Sequence, residues 1–403
     1  MKKYRVRVCL FLCLLSAAII LDKQMITAAD EPELYARSAL LMDASNGRVL
    51  YEENGYQSMP NASTTKIMTC ILAIEYLQEN EDEAKKHPVE VSSYAASMPK
   101  VHLGMQKGEQ YDLKELLYSL MLESHNDTAV AIAEYIAGDV RCFADKMNEK
   151  ATQLGCRDTY FVTPNGLDGE RDGRAHCTTA YDLGLIAAYA MRNPLFCEII
   201  TTRSYCVTEL LTGRQTQVNN KDAFLDMMEG ACGIKTGFTS KAGYCFVGAL
   251  KKDGNTYIAV VLACGWPPNK TWKWHDTRQL MQYGLSNYEP TCIAESFDYE
   301  SVRIPVVEGV KDDVKVYLDD GGEQKKKDSL TLLLGRQDQT RIKRKMKKDL
   351  MAPVKEGSVV GAEQYFVNGN LYREYKIRTA ESVDLRTYFY CLGQVFMLYF
   401  IRM

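Results

Sequence analysis

Ser63 and Lys66 stand three residues apart in "MPNASTTKIMTCILAIEYL", at the point where a long apolar run begins. On a helix this spacing puts both side chains on one face. A serine hydroxyl is a weak nucleophile until a base takes its proton. A lysine can be that base if burial or a neighbouring cation lowers its pKa. A helix starting at Ser63 would also aim the positive end of its dipole at developing negative charge. The pair alone is a weak signal. The same spacing recurs at Ser97 and Lys100 in "SMPK", where Pro99 forbids a continuous helix and no apolar run follows.

Two further clusters raise the signal. Ser124, His125 and Asn126 form "SHN", and Lys235, Thr236 and Gly237 form "KTG". In this order behind S-x-x-K they match the motif set of penicillin-recognising serine enzymes. Each has a bland reading by itself: a helix cap for Asn126, an edge-strand lysine and a turn glycine for the last. Three in order, each in a suitable predicted element, make coincidence a poor explanation. The chain lacks C-x-x-C, H-x-H and H-E-x-x-H, so a metal site and a zinc peptidase have no support, and no cofactor is implied.

These residues need elements to hold them. "SALLMDASNGRVLYEEN" reads as a β-hairpin around a two-residue Asn46-Gly47 turn. The run from Lys66 predicts a helix buried on most sides. "DLKELLYSLMLES" predicts a second helix, with Leu113, Leu116, Leu117, Leu120 and Met121 as its stripe. "DTAVAIAEYIAG" predicts a third, capped by Asn126 or Asp127 and stopped at Gly138. Ser124 and Asn126 then fall in the joint between two helices. "TTAYDLGLIAAYAM" is a further helix. From Cys232 the pattern turns to strands, joined at Asp253-Gly254, and a helix from Trp274 to Tyr283 follows. The order is an α+β layout in which the first strands can join the later ones in one antiparallel sheet.

The 403 residues, 46% of them hydrophobic and 25% charged, are enough for two domains. A formal net charge of -3 gives nucleic acid no compositional support. Residues 1–29 read as a signal peptide: a basic "MKKYRVRV", an apolar "CLFLCLLSAAIIL", and small residues Thr27 and Ala29 before a cleavage site. Thirteen cysteines leave disulfides and small buried thiols both open. Residues 30–290 form the expected catalytic domain. Residues 296–378 read as a small all-β domain that includes the basic run "RIKRKMKKD", a solvated surface or a face for an anionic wall or lipid. Residues 379–403 hold an apolar tail. As a helix its apolar run covers about 20 Å, short of a hydrocarbon core of roughly 30 Å, so it reads as an interfacial anchor.

The stretches "SALLMDASNGRVLYEENGYQSMPNASTTKIMT", "LYSLMLESHNDTAVAIAEYIAG", "TPNGLDG" with "TTAYDLG", and "GIKTGFTSKAGYCFVGA" together resemble the serine D-alanyl-D-alanine carboxypeptidases, the low-molecular-mass penicillin-binding proteins. The likeness is strong from Ser38 to Leu285. It implies a β-lactamase/transpeptidase-like catalytic domain, with the site between the helical region and the sheet edge. The implied substrate is a peptidoglycan stem peptide, and β-lactams are the implied covalent inhibitors. The implied setting is the outer face of the cytoplasmic membrane. The resemblance makes Ser63 the nucleophile, Lys66 its base and Ser124 a proton relay. It gives Asn126, Lys235 and Thr236 to substrate binding, with Gly237 allowing close approach. The amides of Ser63 and Phe238 become the oxyanion hole. His125 and Phe238 depart from commoner residues of the family; the first reads as a tolerated variant facing the cleft mouth, with a titrating accessory as the alternative. No E-x-x-L-N stretch follows the second motif, so a class A β-lactamase's deacylating glutamate has no candidate. A DD-endopeptidase on the same site and a non-catalytic wall-binding protein are the competing readings.

Overall fold

A computed structural model describes residues 31–400. The expected signal peptide and the last three residues of the tail lie outside the described residues. The chain divides into two compact units, one ending at Asn287 and one beginning at Tyr288.

The first unit is built on a five-stranded antiparallel sheet. Its strands are β1 (Ser38–Asp43), β2 (Arg48–Glu53), β5 (Ala231–Thr239), β6 (Gly243–Lys252) and β7 (Asn255–Leu262), in the order β2-β1-β7-β6-β5. A separate hairpin, β3 (Ser204–Thr208) with β4 (Gln215–Asn219), lies between them in sequence. Every residue of β1 is buried, because helices cover both sheet faces and leave no side for polar alternation. On one face Gly184 of α5 (Ala180–Ala190) meets Leu40 and Met42; on the other Gly284 of α7 (Trp272–Asn287) meets Leu41. The missing side chains let both helices come close to the strand. The β1–β2 connection is a four-residue turn, Ala44 to Gly47, and not the expected two-residue one: Asp43 pairs with Arg48. The Asp43 carboxylate accepts from Ser45 and Asn46 and so favours the longer turn.

The helical layer holds α1 (Lys66–Glu79), α2 (Leu113–Tyr118), α3 (Asn126–Ala137), α4 (Val140–Gln153) and α6 (Pro194–Thr201). Helix α1 is buried along Lys66–Ile71, Ala73 and Ile74, as its near-continuous apolar sequence requires. Two expected helices differ in detail. Ala62–Thr65, with Ser63 inside it, is a 3-10 turn leading into α1. The second helix stops being α-helical at Tyr118 and continues as a π-helical turn, Ser119–Glu123. The residue before α3 is His125, with no side-chain cap, while Gly138 ends α3 at φ 83° as expected. Asn126 and Asp127 are occupied elsewhere.

The second unit is a β domain. Its six-stranded sheet runs Thr340–Met346, Val359–Val367, Asn370–Thr379, Asp313–Asp319, Arg303–Val307, Leu350–Met351. Ile304, Val306, Val314 and Val316 alternate inward to form its core. The basic run is the edge strand of this sheet, with Arg341, Lys343 and Lys345 exposed; charged edge residues resist pairing with another chain. Glu363 is fully buried beside Lys326, Arg344, Tyr299 and Tyr365, each bonded to its carboxylate. Helix α8 (Tyr388–Phe400) carries no charge, and Phe389 and Tyr399 are 81% and 74% exposed. No single helix among the described residues is long and apolar enough to cross a membrane. The eleven cysteines among the described residues are free thiols, with Cys70, Cys156, Cys245 and Cys264 buried.

Candidate active site

Lys66 is the centre of the site. It is fully buried, and its Nζ reaches three oxygens: Ser63 Oγ at 3.1 Å, Asn126 Oδ1 at 2.9 Å and the Asn165 carbonyl at 2.6 Å. Burial drives its pKa well below the usual lysine value, the charge of Lys235 adds to this, and Asp127 opposes it. A neutral amine has two N–H groups and one lone pair. Asn126 Oδ1 and the Asn165 carbonyl are acceptors only, so they take the two N–H groups. The lone pair is left facing the Ser63 hydroxyl. This arrangement can deprotonate Ser63.

The turn that presents Ser63 is fixed from behind. Asn61 Nδ2 donates to Thr64 Oγ1 and Thr65 Oγ1 at 3.1 and 2.9 Å. His176 Nε2 lies 2.8 Å from Thr65 Oγ1, while its Nδ1 accepts from the Val162 amide at 3.0 Å. That acceptor role makes Nε2 the protonated nitrogen, donating to Thr65. Burial holds the His176 pKa down to about 4, so the ring is neutral. Thr69 Oγ1 donates to the Pro164 carbonyl at 2.6 Å. The loop 162–166 is thus tied to α1, and Asn165 is aimed at Lys66.

Ser124 follows the π-helical turn in the left-handed conformation, at φ 69° and ψ 32°. Its Oγ is buried and has no hydrogen-bond partner in the protein. Asn126 donates from Nδ2 to the Pro99 carbonyl at 3.2 Å, and its amide donates to Val101. Asp127 accepts from the amides of Leu103, Gly104 and Met105 at 2.9, 2.9 and 3.2 Å. It fastens the segment around Val101 beside the site. His125 does not face the cleft mouth: it is 4% exposed and packed inward.

The third cluster lies on β5, the last strand of the sheet. Lys235 is 3% exposed, with its Nζ 3.3 Å from the Thr236 carbonyl. Burial lowers its pKa to about 8, and Asp222 opposes the shift. Gly237 packs against the turn of Ser63: a Cβ there would sit 3.0 Å from the Ser63 amide nitrogen and 3.1 Å from both the Asn61 carbonyl and the Thr64 nitrogen. A side chain here would force the strand or the turn to give by a few tenths of an ångström, so glycine keeps the residue before Phe238 close to the Ser63 turn. The Phe238 side chain is 41% exposed and rests on Tyr244, with ring centroids 4.6 Å apart. Ser97 and Lys100, the decoy pair, are both exposed, and Ser97 bonds only the Tyr94 carbonyl.

Sequence reasoning missed Asn165, His176, Asp127 and Asp222. The Pro164-Asn165-Gly166 turn signal was readable, but a backbone carbonyl bonded to Lys66 has no side-chain signature. Asp222 Oδ1 accepts from the Phe224 amide at 2.9 Å, and its Oδ2 has no partner. Burial pushes its pKa up to about 7 against the charges of Lys235, Lys273 and Arg203. No group of three or more His, Cys, Asp or Glu side chains able to hold a metal occurs among the described residues.

Residues 25–265 match the family model described as D-alanyl-D-alanine carboxypeptidase, and residues 299–385 match that of the penicillin-binding protein 5 C-terminal domain. The chain is 28% identical to D-alanyl-D-alanine carboxypeptidase DacF of Bacillus subtilis, over 86% of each chain. It is 31% identical to a D-alanyl-D-alanine carboxypeptidase of a Streptomyces species, over 68% of this chain and 94% of the other. Among solved structures, penicillin-binding protein 5 of Haemophilus influenzae superposes with a TM-score of 0.69 at 25% identity, covering 88% of this chain and 99% of that one. Penicillin-binding protein D2 of Listeria monocytogenes, in an ampicillin-bound form, superposes with a TM-score of 0.54 at 28% identity, covering 63% and 99%.

Proposed function

The chain belongs to the D-alanyl-D-alanine carboxypeptidase family and is a serine-type DD-carboxypeptidase, and from that premise we propose how its own residues divide the work. Ser63 Oγ gives its proton to the lone pair of Lys66 Nζ and attacks the carbonyl between the last two D-alanines of a peptidoglycan stem. The amides of Ser63 and Phe238 hold the oxyanion, a contribution of roughly 10²–10³ in rate per donor. The C–N bond then breaks. The departing D-alanine nitrogen takes a proton through the Ser124 hydroxyl, which is replenished from Lys66. Water, deprotonated by Lys66, hydrolyses the Ser63 ester and restores the starting state. Lys235 and Thr236 bind the terminal carboxylate, and Asn126 orients the stem backbone while holding Lys66.

The observation that carries this assignment is the set of three oxygens around the buried Lys66 Nζ, two of them acceptors only and the third the Ser63 hydroxyl. A wall-binding scaffold gains nothing from a buried amine whose lone pair is forced toward a serine. β-Lactams fit the same attack: they acylate Ser63 in place of a stem. That the Listeria relative was solved with ampicillin and with cefotaxime supports this. The protein acts outside the cytoplasmic membrane, and we place it on the outer face, held by residues 379–403. The exposed apolar surface of α8 supports that placement. Residues 30–290 make the catalytic domain and 296–378 the β domain in this reading.

The test is to give the purified protein monomeric pentapeptide muropeptides and cross-linked dimers, beside Ser63→Ala and Lys66→Met variants. Mass spectrometry is expected to show loss of one alanine from the monomers with the wild type alone. Dimer cleavage as the main reaction would point to an endopeptidase, and product from Ser63→Ala would refute the nucleophile assignment.

A further inference from the structure

His125 is buried in the middle of the second motif, with one ring nitrogen bonded to a short stretch of chain and the other lying close to it. Nδ1 lies 2.8 Å from Ser119 Oγ, the first residue of the π-helical turn. Nε2 lies 3.6 Å from Glu123 Oε2, the last residue of that turn. The next residue is Ser124, whose left-handed backbone is one that L-residues leave unless surrounding contacts fix it. Each end of the clamp is anchored in turn. Ser119 Oγ is 2.9 Å from Thr128 Oγ1 on α3. Glu123 Oε1 accepts from the Asn219 amide at 2.8 Å and lies 3.3 Å from Lys221 Nζ. The imidazole therefore bonds the first residue of the turn and packs near its last, while Ser119 and Glu123 tie the turn to α3 and to the far end of β4.

We propose that His125 is a positioning residue for Ser124: by bonding Ser119 at the start of the π-helical turn and filling the buried space beside Glu123 at its end, it holds the left-handed backbone that aims the Ser124 hydroxyl at the departing amine. This rests on the relay role given to Ser124 above. The ring acts as the neutral tautomer, accepting at Nδ1 from Ser119, with Nε2–H on the side of Glu123 but 3.6 Å from its carboxylate, beyond hydrogen-bond reach. Burial lowers its pKa, the charges of Lys66 and His102 act in the same direction, and Asp127 and Glu123 oppose them. A smaller residue in this place would leave the turn without its brace and Ser124 free to relax toward ordinary backbone angles. The chemistry affected is one step: as the C–N bond breaks, nitrogen receives the proton that Ser124 delivers.

That step separates a positioning role from a merely structural one. A thiolate departs without needing a proton, whereas an amine does not. The experiment compares acylation of the full chain by an acyl-D-alanyl-D-alanine peptide and by the matching acyl-D-alanyl-thioglycolate thioester, in His125→Ala, His125→Asn, Ser124→Ala and the double variant His125→Ala/Ser124→Ala. We expect His125→Ala to lose on the order of 10- to 100-fold on the peptide and less than about threefold on the thioester. His125→Asn, which keeps an acceptor near the Nδ1 position, is expected to recover part of the loss. The double variant is expected to be no worse than Ser124→Ala, because coupled residues are not additive. Equal losses on both substrates for His125→Ala, or additive losses in the double variant, would overturn the proposal. If Ser124→Ala itself shows no leaving-group dependence, the relay role fails and the positioning role with it. If Ser124→Ala shows it and His125→Ala does not, only the role of His125 fails. Should His125→Ala not fold by circular dichroism, His125→Asn and Glu123→Gln carry the same comparison.

Discussion

Two residues decide how sharply the site responds to change. Gly237 lies where any side chain would press on three backbone atoms of the Ser63 turn, at 3.0–3.1 Å. Those atoms cannot rotate away, so Gly237→Ala must move strand or turn. The neighbours must give by a few tenths of an ångström, less than the displacement near 1 Å that costs on the order of 10²-fold in rate. We expect acylation by a fluorescent penicillin to slow by about 3- to 10-fold, with a melting temperature shifted by only a few degrees; an unchanged rate would refute the close approach. Lys235 sets the alkaline limit. Its pKa, about 8 in the free enzyme, means that its positive charge fades as pH rises through that value. The term kcat/KM for carboxylate-bearing substrates should therefore fall above pH 8. A bound carboxylate favours the charged lysine, so the matching limb of kcat should lie higher. A limb at the same pH in both profiles would detach Lys235 from substrate binding.

At the scale of elements, the site stands where four segments converge: the turn before α1, the joint before α3, the loop 162–166, and β5. The tightest junction is that of Gly166 with the nucleophile turn. At φ 79° it is in the left-handed region, and a Cβ there would lie 1.9 Å from the Ala62 carbonyl oxygen. Gly166→Ala should destabilise the first unit by about 1–3 kcal/mol and pull Asn165 off Lys66. Acylation should then fall even at temperatures where the variant is folded; calorimetry and acylation kinetics would check the two effects separately. The sequence made the sheet, the buried helix of Lys66 and the Gly138 stop legible, because each rests on apolar periodicity or a breaker. It hid the π-helical turn, since Leu116, Leu117, Leu120 and Met121 fit an uninterrupted α-helix equally well. It hid the inward packing of His125 for the same reason: a polar residue between Ser124 and Asn126 looks exposed until Ser119 and Glu123 are seen folded back on it. Long-range backbone acceptors, such as the Asn165 carbonyl 99 residues from Lys66, leave no local pattern at all.

For the whole molecule, the tail raises the question of where the enzyme works. Helix α8 exposes Phe396, Met397, Leu398 and Tyr399 at 56–74%, a run of apolar surface that water does not stabilise. A chain truncated after Thr387 is expected to stay in solution, to lose binding to phospholipid vesicles in a sedimentation assay, and to keep its activity on soluble peptides within about twofold, since one acyl-length apolar element contributes adhesion and no chemistry. Vesicle binding undiminished by the truncation would move the anchor elsewhere.

The strand β5 ends its sheet, with a neighbour on one side only. A row of unsatisfied main-chain donors and acceptors is ordinarily a hazard for aggregation. Here Gly237 brings that row to the Ser63 turn, and we infer that the edge serves to read the backbone of the stem. We infer that a backbone reader of this kind is open to counterfeit: a small molecule that displays an amide, an anion and a reactive carbonyl at the right intervals can take the place of the stem.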